Sequence, residues 1–422
     1  MSLPECIEVV PLPQPVRAVI TVPGSKSITN RVLILAALAD GESTIAGALW
    51  SEDTQVMVGC VQELGFMVNV APDPADQGNR IITVYGRGGM VPPGGTETQP
   101  LELFVGNAGT AARFLTALVC LGSGCYRIHG VPRMHERPQS ALFNALRELG
   151  YRIDSANGRL PALVHGSGPR KGRCTVSIEE SSQFASALLL CATTGKWEVV
   201  VIGENQEESP YVVLTQKLCD QFRKQKQPFQ VAPDASSASY FWAANWLTRS
   251  EISVAYWETA VKSAQIDAQF PRFLPLPANL SRQADLGDSI MTAVMLAPFA
   301  DQKVRFNDLR RLRLQECERV MALRTELTKC GARVTETGET LEVEPGRLHG
   351  ATIETYNDHR MAMCFAILGL KVSGIKINNP SCVKKTFPNF FQKLAARSPH
   401  GLGATILAAG GKELSADHLY AE

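Results

Sequence analysis

The chain has no CxxC pair and no HExxH, and its eleven cysteines and seven histidines are scattered through 422 residues. Zinc-finger and metalloprotease spacings are thus missing, and no metal is expected. An odd number of unclustered cysteines fits reduced thiols in a cytoplasmic protein, most of them filling the core. No apolar run reaches the ~18 residues that a membrane span requires, and no charged-then-apolar leader opens the sequence. Charge of either sign is not in excess: the net value is +1, so neither nucleic acid nor a membrane surface would feel an attractive whole-protein field. Any anion binding must be local. A Walker loop is also missing, because Lys26 follows Ser25 and has no glycine at the required upstream spacing. Nor does any motif pair a serine or cysteine with a histidine as an activated nucleophile.

What is present is an ordinary soluble composition, 45% apolar and 20% charged, in a chain long enough for at least two domains. Hydrophobic periodicity predicts a recurring unit. From Val16 it reads strand, helix (Ser27 to Leu38), strand (Ser43 to Ala46), helix (Glu52 to Leu64) and two short strands (Met67 to Val70, Ile81 to Val84), a βαβαββ order. A second copy runs from Leu101, with helices Thr110 to Leu121 and Glu136 to Leu149. A third runs from Thr175, with helices Ser182 to Cys191 and Tyr211 to Phe222, and ends in a shortened piece between Lys217 and Pro233. The rhythm restarts after Pro233, with helices opening at Asp234, Asp288 and Asp358 and a long helix from Gln315 to Lys329.

Six helix openings thus recur: PGSKS, GNAGTAAR, ESSQF, DASSAS, GDSIMT and YNDHRM. Their spacing marks repeated supersecondary units. The expected domains are residues 23–233 and a discontinuous 1–22 with 234–422, in which the Gly- and Ala-rich stretch 398–422 is either a frayed end or a small added element. Arg223 to Gln227 is polar enough to be a mobile loop.

The openings carry the chemistry. PGSKSITNR puts Ser25, Lys26 and Ser27 at a helix N-terminus, where unpaired N–H groups and the macrodipole favour an anion. GNAGTAAR offers Asn107, Gly109 and Thr110 ahead of a helix, and ESSQF offers Ser181, Ser182 and Gln183; each alone is also what an ordinary capped helix looks like. Arg137 ends a proline-bounded turn, Arg313, Glu316 and Arg319 are spaced to share a helix face, and Asp288, Asp358, His359, Arg360 and Lys385 sit at further openings. Cations thus outnumber candidate acids. Such a set would hold multiply charged anions and keep a carboxylate or two for proton transfer.

Taken in order, PGSKSITNR, GNAGTAAR, PRMHERP, SSQF, Pro210-Tyr211, DASSASYF, GDSIMT, ECER, YNDHRMAM and KTFPNFF resemble the 5-enolpyruvylshikimate-3-phosphate synthase family over residues 7 to 397. The resemblance implies a two-domain inside-out α/β barrel, each domain of three βαβαββ units, closing over a cleft. It implies transfer of the enolpyruvyl group of phosphoenolpyruvate to the 5-hydroxyl of shikimate 3-phosphate, with no cofactor, in a monomer. It assigns Lys26, Ser27, Arg31, Ser181, Ser182, Gln183, Tyr211, Asp288 and Gln315 to shikimate 3-phosphate. To phosphoenolpyruvate it assigns Lys26, Asn107, Gly109, Thr110, Arg137, Gln183, Arg319, Arg360 and Lys385. Asp288 would take the 5-hydroxyl proton, and Glu316 with Lys26 or Lys385 would serve C3 of phosphoenolpyruvate. His359 would orient Glu316 or the cleft.

The chain departs from the family pattern at Glu208, Arg311, Gln315 and Phe114. Two rival readings follow. One is a UDP-N-acetylglucosamine enolpyruvyl transferase, against which Lys26 is followed by Ser27 and Cys125 reads as a strand residue. The other is a relative that binds phosphorylated ligands without turning them over.

Overall fold

Helix Gly109–Cys120 is mostly apolar, and every one of its residues, Thr110, Arg113 and Thr116 included, is buried. Helix His359–Gly369 is the same. A helix without a polar face belongs inside a core, not on its surface. The computed structural model describes residues 3–203, 209–224, 228–257 and 265–421, and divides the chain into two units, Gly24–Ala232 and Met1–Pro23 with Pro233–Glu422.

In the Gly24–Ala232 unit, helices Lys26–Leu38, Gly109–Cys120 and Ser182–Gly195 pack on one another. The strands alternate buried and exposed residues, as sheets with one solvated face do. One sheet runs Phe229–Gln230, Asp40–Leu49, Asn79–Arg87, Met67–Pro72. A second runs Leu101–Phe104, Ser123–His129, Ala162–Ser167, Arg152–Asp154. The third has two described strands, Gly172–Ser177 and Trp197–Ile202. That is the unit whose sequence ends in a shortened piece.

The second unit repeats the plan with helices Ala235–Thr248, Ile290–Leu296 and His359–Gly369 at its centre. Its sheets are Asn279–Ser281, Val304–Asn307, Thr340–Glu344, Arg333–Thr337 and Thr352–Ile353, Ile375–Asn378, Cys6–Val9, Ile406–Ala408, with the pair Arg17–Ile20 and Glu251–Val254. The C-terminal stretch is therefore an added element. Ile406–Ala408 extends the sheet antiparallel to Cys6–Val9, and Leu419 and Ala421 are buried.

Three sequence expectations need correction. The run from Val16 does not open the first repeat. Arg17–Ile20 pairs in parallel with Glu251–Val254, and its place beside Asp40–Leu49 is taken by Phe229–Gln230. The chain swaps strands at its two crossings, where Ser25 N–H donates to Ala232 C=O (2.8 Å) and Asp234 N–H to Pro23 C=O (2.9 Å). A β-branched run states that it is a strand, not which strand it will meet.

The helix expected over Glu136 to Leu149 is two helices, Pro132–Glu136 and Ser140–Glu148. Pro138 forbids helical geometry at the residue before it, and Arg137 is extended, with φ −77° and ψ 142°. Likewise the helix expected from Gln315 begins at Arg319, after a 3-10 turn over Arg310–Leu314; Glu318 caps it by accepting from Met321 N–H at 2.6 Å. Arg313 therefore leaves the face expected to join it to Glu316 and Arg319. It pairs instead with Glu318 (2.8 Å) and Glu336 (2.6 Å).

Arg223 and Lys224 end helix Ser209–Lys224, and 225–227 lie outside the described residues. All eleven cysteines are free, eight of them buried. Among the described residues no helix is long and apolar enough to cross a membrane.

Candidate functional site

In the Gly24–Ala232 unit, neither helix Lys26–Leu38 nor helix Gly109–Cys120 is capped by a side chain. Their first N–H groups face outward without that competitor, which favours an anion. Lys26 stands at the first of these termini, its Nζ 3.0 Å from Asp53 Oδ2, with about a quarter of its side chain exposed at 24%. Ser27 beside it is half-buried.

One turn further, Arg31 is drawn inside. Its Nε donates to Thr215 Oγ1 (2.7 Å), Nη2 to Ser186 Oγ (2.9 Å) and Nη1 to the Ser27 carbonyl (2.8 Å), and its guanidinium lies 5.2 Å from the centre of the Phe114 ring. Phe114, one of the departures, therefore supplies a flat face for that cation.

The second opening shows why glycine stands at 109. A Cβ there would lie 2.6 Å from both Arg113 Nη1 and Arg137 Nη2. Arg113 donates to the Gly109 and Pro138 carbonyls, and Arg137 reaches the Asn107 carbonyl at 3.2 Å. The extended backbone forced by Pro138 is what sends Arg137 out of the helix toward this terminus. Thr110 is buried beside them, and Asn107 Oδ1 is buried with no partner among the described residues.

At the third opening Ser181 caps its helix, accepting from Gln183 N–H at 3.2 Å. Ser182 is buried, and Gln183 Oε1 is buried without a described partner. Tyr211 is half-buried in helix Ser209–Lys224, and its carbonyl accepts from the same Thr215 that binds Arg31.

The second unit gathers charges of both signs. Arg360 Nη2 lies 3.0 Å from Asp288 Oδ2, and Arg282 Nη2 3.2 Å from Asp288 Oδ1. Arg319, 1% exposed, forks Asp358 through Nε (2.6 Å) and Nη2 (3.2 Å), and its Nη2 is also 2.7 Å from Glu316 Oε2. Lys385 Nζ sits 3.5 Å from the other oxygen of Glu316. Gln315 joins the two halves: its amide donates to Asp288 (3.4 Å), and its oxygen accepts from Arg319.

Burial pushes the Asp288 carboxyl up, but Arg360, then Arg282 and Arg319, outweigh it and hold the group well below the usual carboxylate range. Burial opposes the Arg319 charge too, and Asp358, Glu316 and Asp288 more than offset it. Behind them burial raises the Asp267 carboxyl, which accepts from Ser289 N–H at 2.7 Å, and neighbouring Asp288 adds to the rise. Asp288 is thus an anion fixed by three guanidiniums, with a fifth of its side chain open to solvent (20%). Glu316 lies between an arginine and a lysine with 19% of its side chain exposed. The arrangement sets two carboxylates, Asp288 and Glu316, among four cations, Arg282, Arg319, Arg360 and Lys385.

The sequence pattern of the EPSP synthase (3-phosphoshikimate 1-carboxyvinyltransferase) family matches residues 10–270 and 278–394. The chain belongs to that family. The 3-phosphoshikimate 1-carboxyvinyltransferase of Trichormus variabilis is 36% identical over 430 residues, covering 92% of this chain and 98% of that protein. The one from Pseudomonas savastanoi is 35% identical over 421 residues, with coverage of 92% and 97%. Among solved structures, EPSP synthase from Acinetobacter baumannii superposes with a TM-score of 0.69 at 20% identity, over 95% of this chain and 99% of that one. The enolpyruvyl transferase NikO from Streptomyces tendae gives 0.66 at 15% identity, over 96% and 99%. Those likenesses confirm the α/β enolpyruvyl transferase fold.

The expected site residues divide between the two units: Lys26, Ser27, Arg31, Asn107, Gly109, Thr110, Arg137, Ser181, Ser182, Gln183 and Tyr211 lie in one, Asp288, Gln315, Glu316, Arg319, His359, Arg360 and Lys385 in the other. His359 is buried, its Nδ1 3.7 Å from Asp358 Oδ1. Glu208 lies outside the described residues.

Several partners were not foreseen. Asp358 reads as a cap, and it is one, accepting from Arg360 N–H at 2.8 Å, but it is also the buried counter-charge of Arg319. Arg282, Asp53, Ser186 and Thr215 stand in no motif. Only the fold places them. Ser236 and Tyr240 hold Arg360 from the first turns of helix Ala235–Thr248, and the serine-rich opening DASSAS was the signal for that.

Proposed function

We propose that this chain transfers the enolpyruvyl group of phosphoenolpyruvate to the 5-hydroxyl of shikimate 3-phosphate, releasing phosphate, as a 3-phosphoshikimate 1-carboxyvinyltransferase. The observation that carries this reading beyond family membership is the ionised Asp288 beside Glu316, ringed by Arg282, Arg319, Arg360 and Lys385. A protein that only bound anions would gain nothing from acids placed among its cations. The same reading keeps the chain a cytoplasmic monomer.

In the reaction, the 5-hydroxyl oxygen bonds to C2 of phosphoenolpyruvate and its proton passes to Asp288, while Glu316, with Lys26 or Lys385, gives a proton to C3. In the tetrahedral adduct C3 then loses a proton to the same group as the C2–O bond to phosphate breaks. Free Asp288 is a weak base because Arg360, Arg282 and Arg319 stabilise its charge. A substrate carboxylate that engages Arg319 and Arg360 draws them away from Asp288 and raises its basicity when it is needed. Lys26, Arg137 and the open helix termini of the Gly24–Ala232 unit suit the phosphate groups, and Ser181, Ser182, Gln183 and Tyr211 suit the hydroxylated ring. Gln315 and Arg311 leave shikimate phosphate recognition rearranged relative to the common pattern.

The test is phosphate release from the purified chain given phosphoenolpyruvate and shikimate 3-phosphate, with UDP-N-acetylglucosamine as the alternative acceptor. Release with the first pair only, abolished in Lys26→Ala, supports the reading. Release only with the sugar nucleotide, or shikimate 3-phosphate binding without release, favours one of the two rivals.

Gly109→Ala tests the phosphoenolpyruvate assignment. The added methyl must displace two guanidinium ends, at an overpacking cost of about 1–3 kcal/mol. With Arg113 and Arg137 displaced from the terminus, the KM for phosphoenolpyruvate is expected to rise about 5- to 100-fold, with a smaller change in kcat and little change for shikimate 3-phosphate. Steady-state kinetics with each substrate varied in turn measures this.

A further inference from the structure

On the second sheet of the Gly24–Ala232 unit, three residues that the proposed reaction does not use face one another. Cys125 on strand Ser123–His129 and His165 on strand Ala162–Ser167 are direct cross-strand partners, and Cys125 Sγ is 3.3 Å from His165 Nδ1. Glu97, on the loop that bridges to Cys125 through Gly95, brings Oε1 within 3.6 Å of the same Nδ1. All three ligand atoms lie within 4.8 Å of one another.

We infer that Glu97, Cys125 and His165 form a zinc site, with a fourth position open to water. A tetrahedral zinc with bonds of about 2.3 Å to sulfur and about 2.0–2.2 Å to nitrogen and oxygen sets its ligand atoms about 3.4–3.6 Å apart. The sulfur–nitrogen and nitrogen–oxygen separations of 3.3 and 3.6 Å fit without rearrangement of the strands.

The second observation is what lies behind the histidine. His165 Nε2 is 2.9 Å from Asp154 Oδ2 on the neighbouring strand Arg152–Asp154. The carboxylate there accepts a hydrogen bond from Nε2–H, so the Nδ1 lone pair faces the thiol and Glu97, which is the tautomer a metal requires. Arg152 bridges Glu97 (2.7 Å) and Asp154 (2.8 Å) and supplies the positive charge that a cation would replace at Glu97. Glu97 is well exposed and free to turn from one to the other, with 61% of its side chain open, while His165 and Cys125 are mostly enclosed.

A sulfur and an imidazole together select zinc over magnesium or calcium. Binding exchanges the thiol proton for the metal and ties the 96–99 loop to two strands. No sequence spacing announces such a site, because strand register, not proximity along the chain, assembles it.

The experiment is a Co²⁺ titration of the chelator-stripped full chain, read by thiolate-to-cobalt charge-transfer absorption, followed by displacement with Zn²⁺. One equivalent of cobalt, displaced by one of zinc, is expected. Cys125→Ser and His165→Gln should lose the band, and Glu97→Gln, on the exposed loop, should weaken binding without threatening the fold. Asp154→Asn should weaken it by about 10- to 100-fold. Zinc should raise the melting temperature of the parent chain and not of Cys125→Ser, while the metal-free melting temperatures of the two agree. No charge-transfer band, or one that persists in Cys125→Ser, overturns the assignment.

Discussion

Asp288→Asn should lower kcat by about 10²- to 10⁴-fold, the usual contribution of a positioned general base, with shikimate 3-phosphate binding retained. The amide keeps the shape of the side chain and an oxygen for Arg282 or Arg360, so the cluster stays assembled, but it cannot accept the 5-hydroxyl proton. Phosphate release measures the first effect and calorimetric titration with shikimate 3-phosphate the second. Turnover within a few-fold of the parent chain would remove Asp288 from the chemistry.

The pH dependence follows from the sign of the shift. The folded-state pKa of Asp288 is depressed, so its contribution to stability is complete above the ordinary carboxylate value of about 3.9 and is lost as pH falls from there through the lower folded value. Between neutrality and about pH 5 the free protein keeps Asp288 charged. An acid limb of kcat/KM in that window therefore belongs to another group.

Arg319→Met is expected to destabilise the fold by about 3–5 kcal/mol, because it leaves Asp358, with no exposed side-chain surface, as a buried charge without its fork. Chemical denaturation gives the loss, and the double variant Arg319→Met with Asp358→Leu should recover much of it, since a well-packed apolar pair replaces the ions at little cost. Activity should not recover with it, because the same guanidinium touches Glu316 and Gln315 and is assigned to the substrate carboxylate. A single variant as stable as the parent chain would show that Asp358 does not depend on Arg319.

The two effects also separate what could be read in the sequence from what could not. Six helix openings were legible because each joins a turn to an unusually apolar helix, and helices buried all round carry that pattern along their whole length. Lys26, Gly109, Asp288 and Arg360 were legible because the openings recur, and Glu316 because it stands three residues before Arg319. The partners were not. Asp358 hides its role behind a capping position, and Arg282 sits six residues before Asp288 with no motif around it.

Strand pairing was the weakest part. Arg17–Ile20 and Phe229–Gln230 exchange places because the chain crosses twice between units, a long-range choice that a local β-branched run does not encode. The helix breaks at Pro138 and before Arg319 were within reach: a proline restricts the residue ahead of it, and Glu318 is an acid at a capping position. Following periodicity alone through both places overran them.

The central claim is an addition and elimination at phosphoenolpyruvate run by the acids of the 233–422 segment. Its most direct test is turnover of phosphoenolpyruvate and shikimate 3-phosphate in deuterated water, with the product examined by mass spectrometry and proton NMR. The account predicts an enolpyruvyl ether at the 5-oxygen that carries deuterium on its methylene carbon, because C3 gains a solvent-derived proton before it loses one. Product with no deuterium there, or no product from this pair, would contradict it.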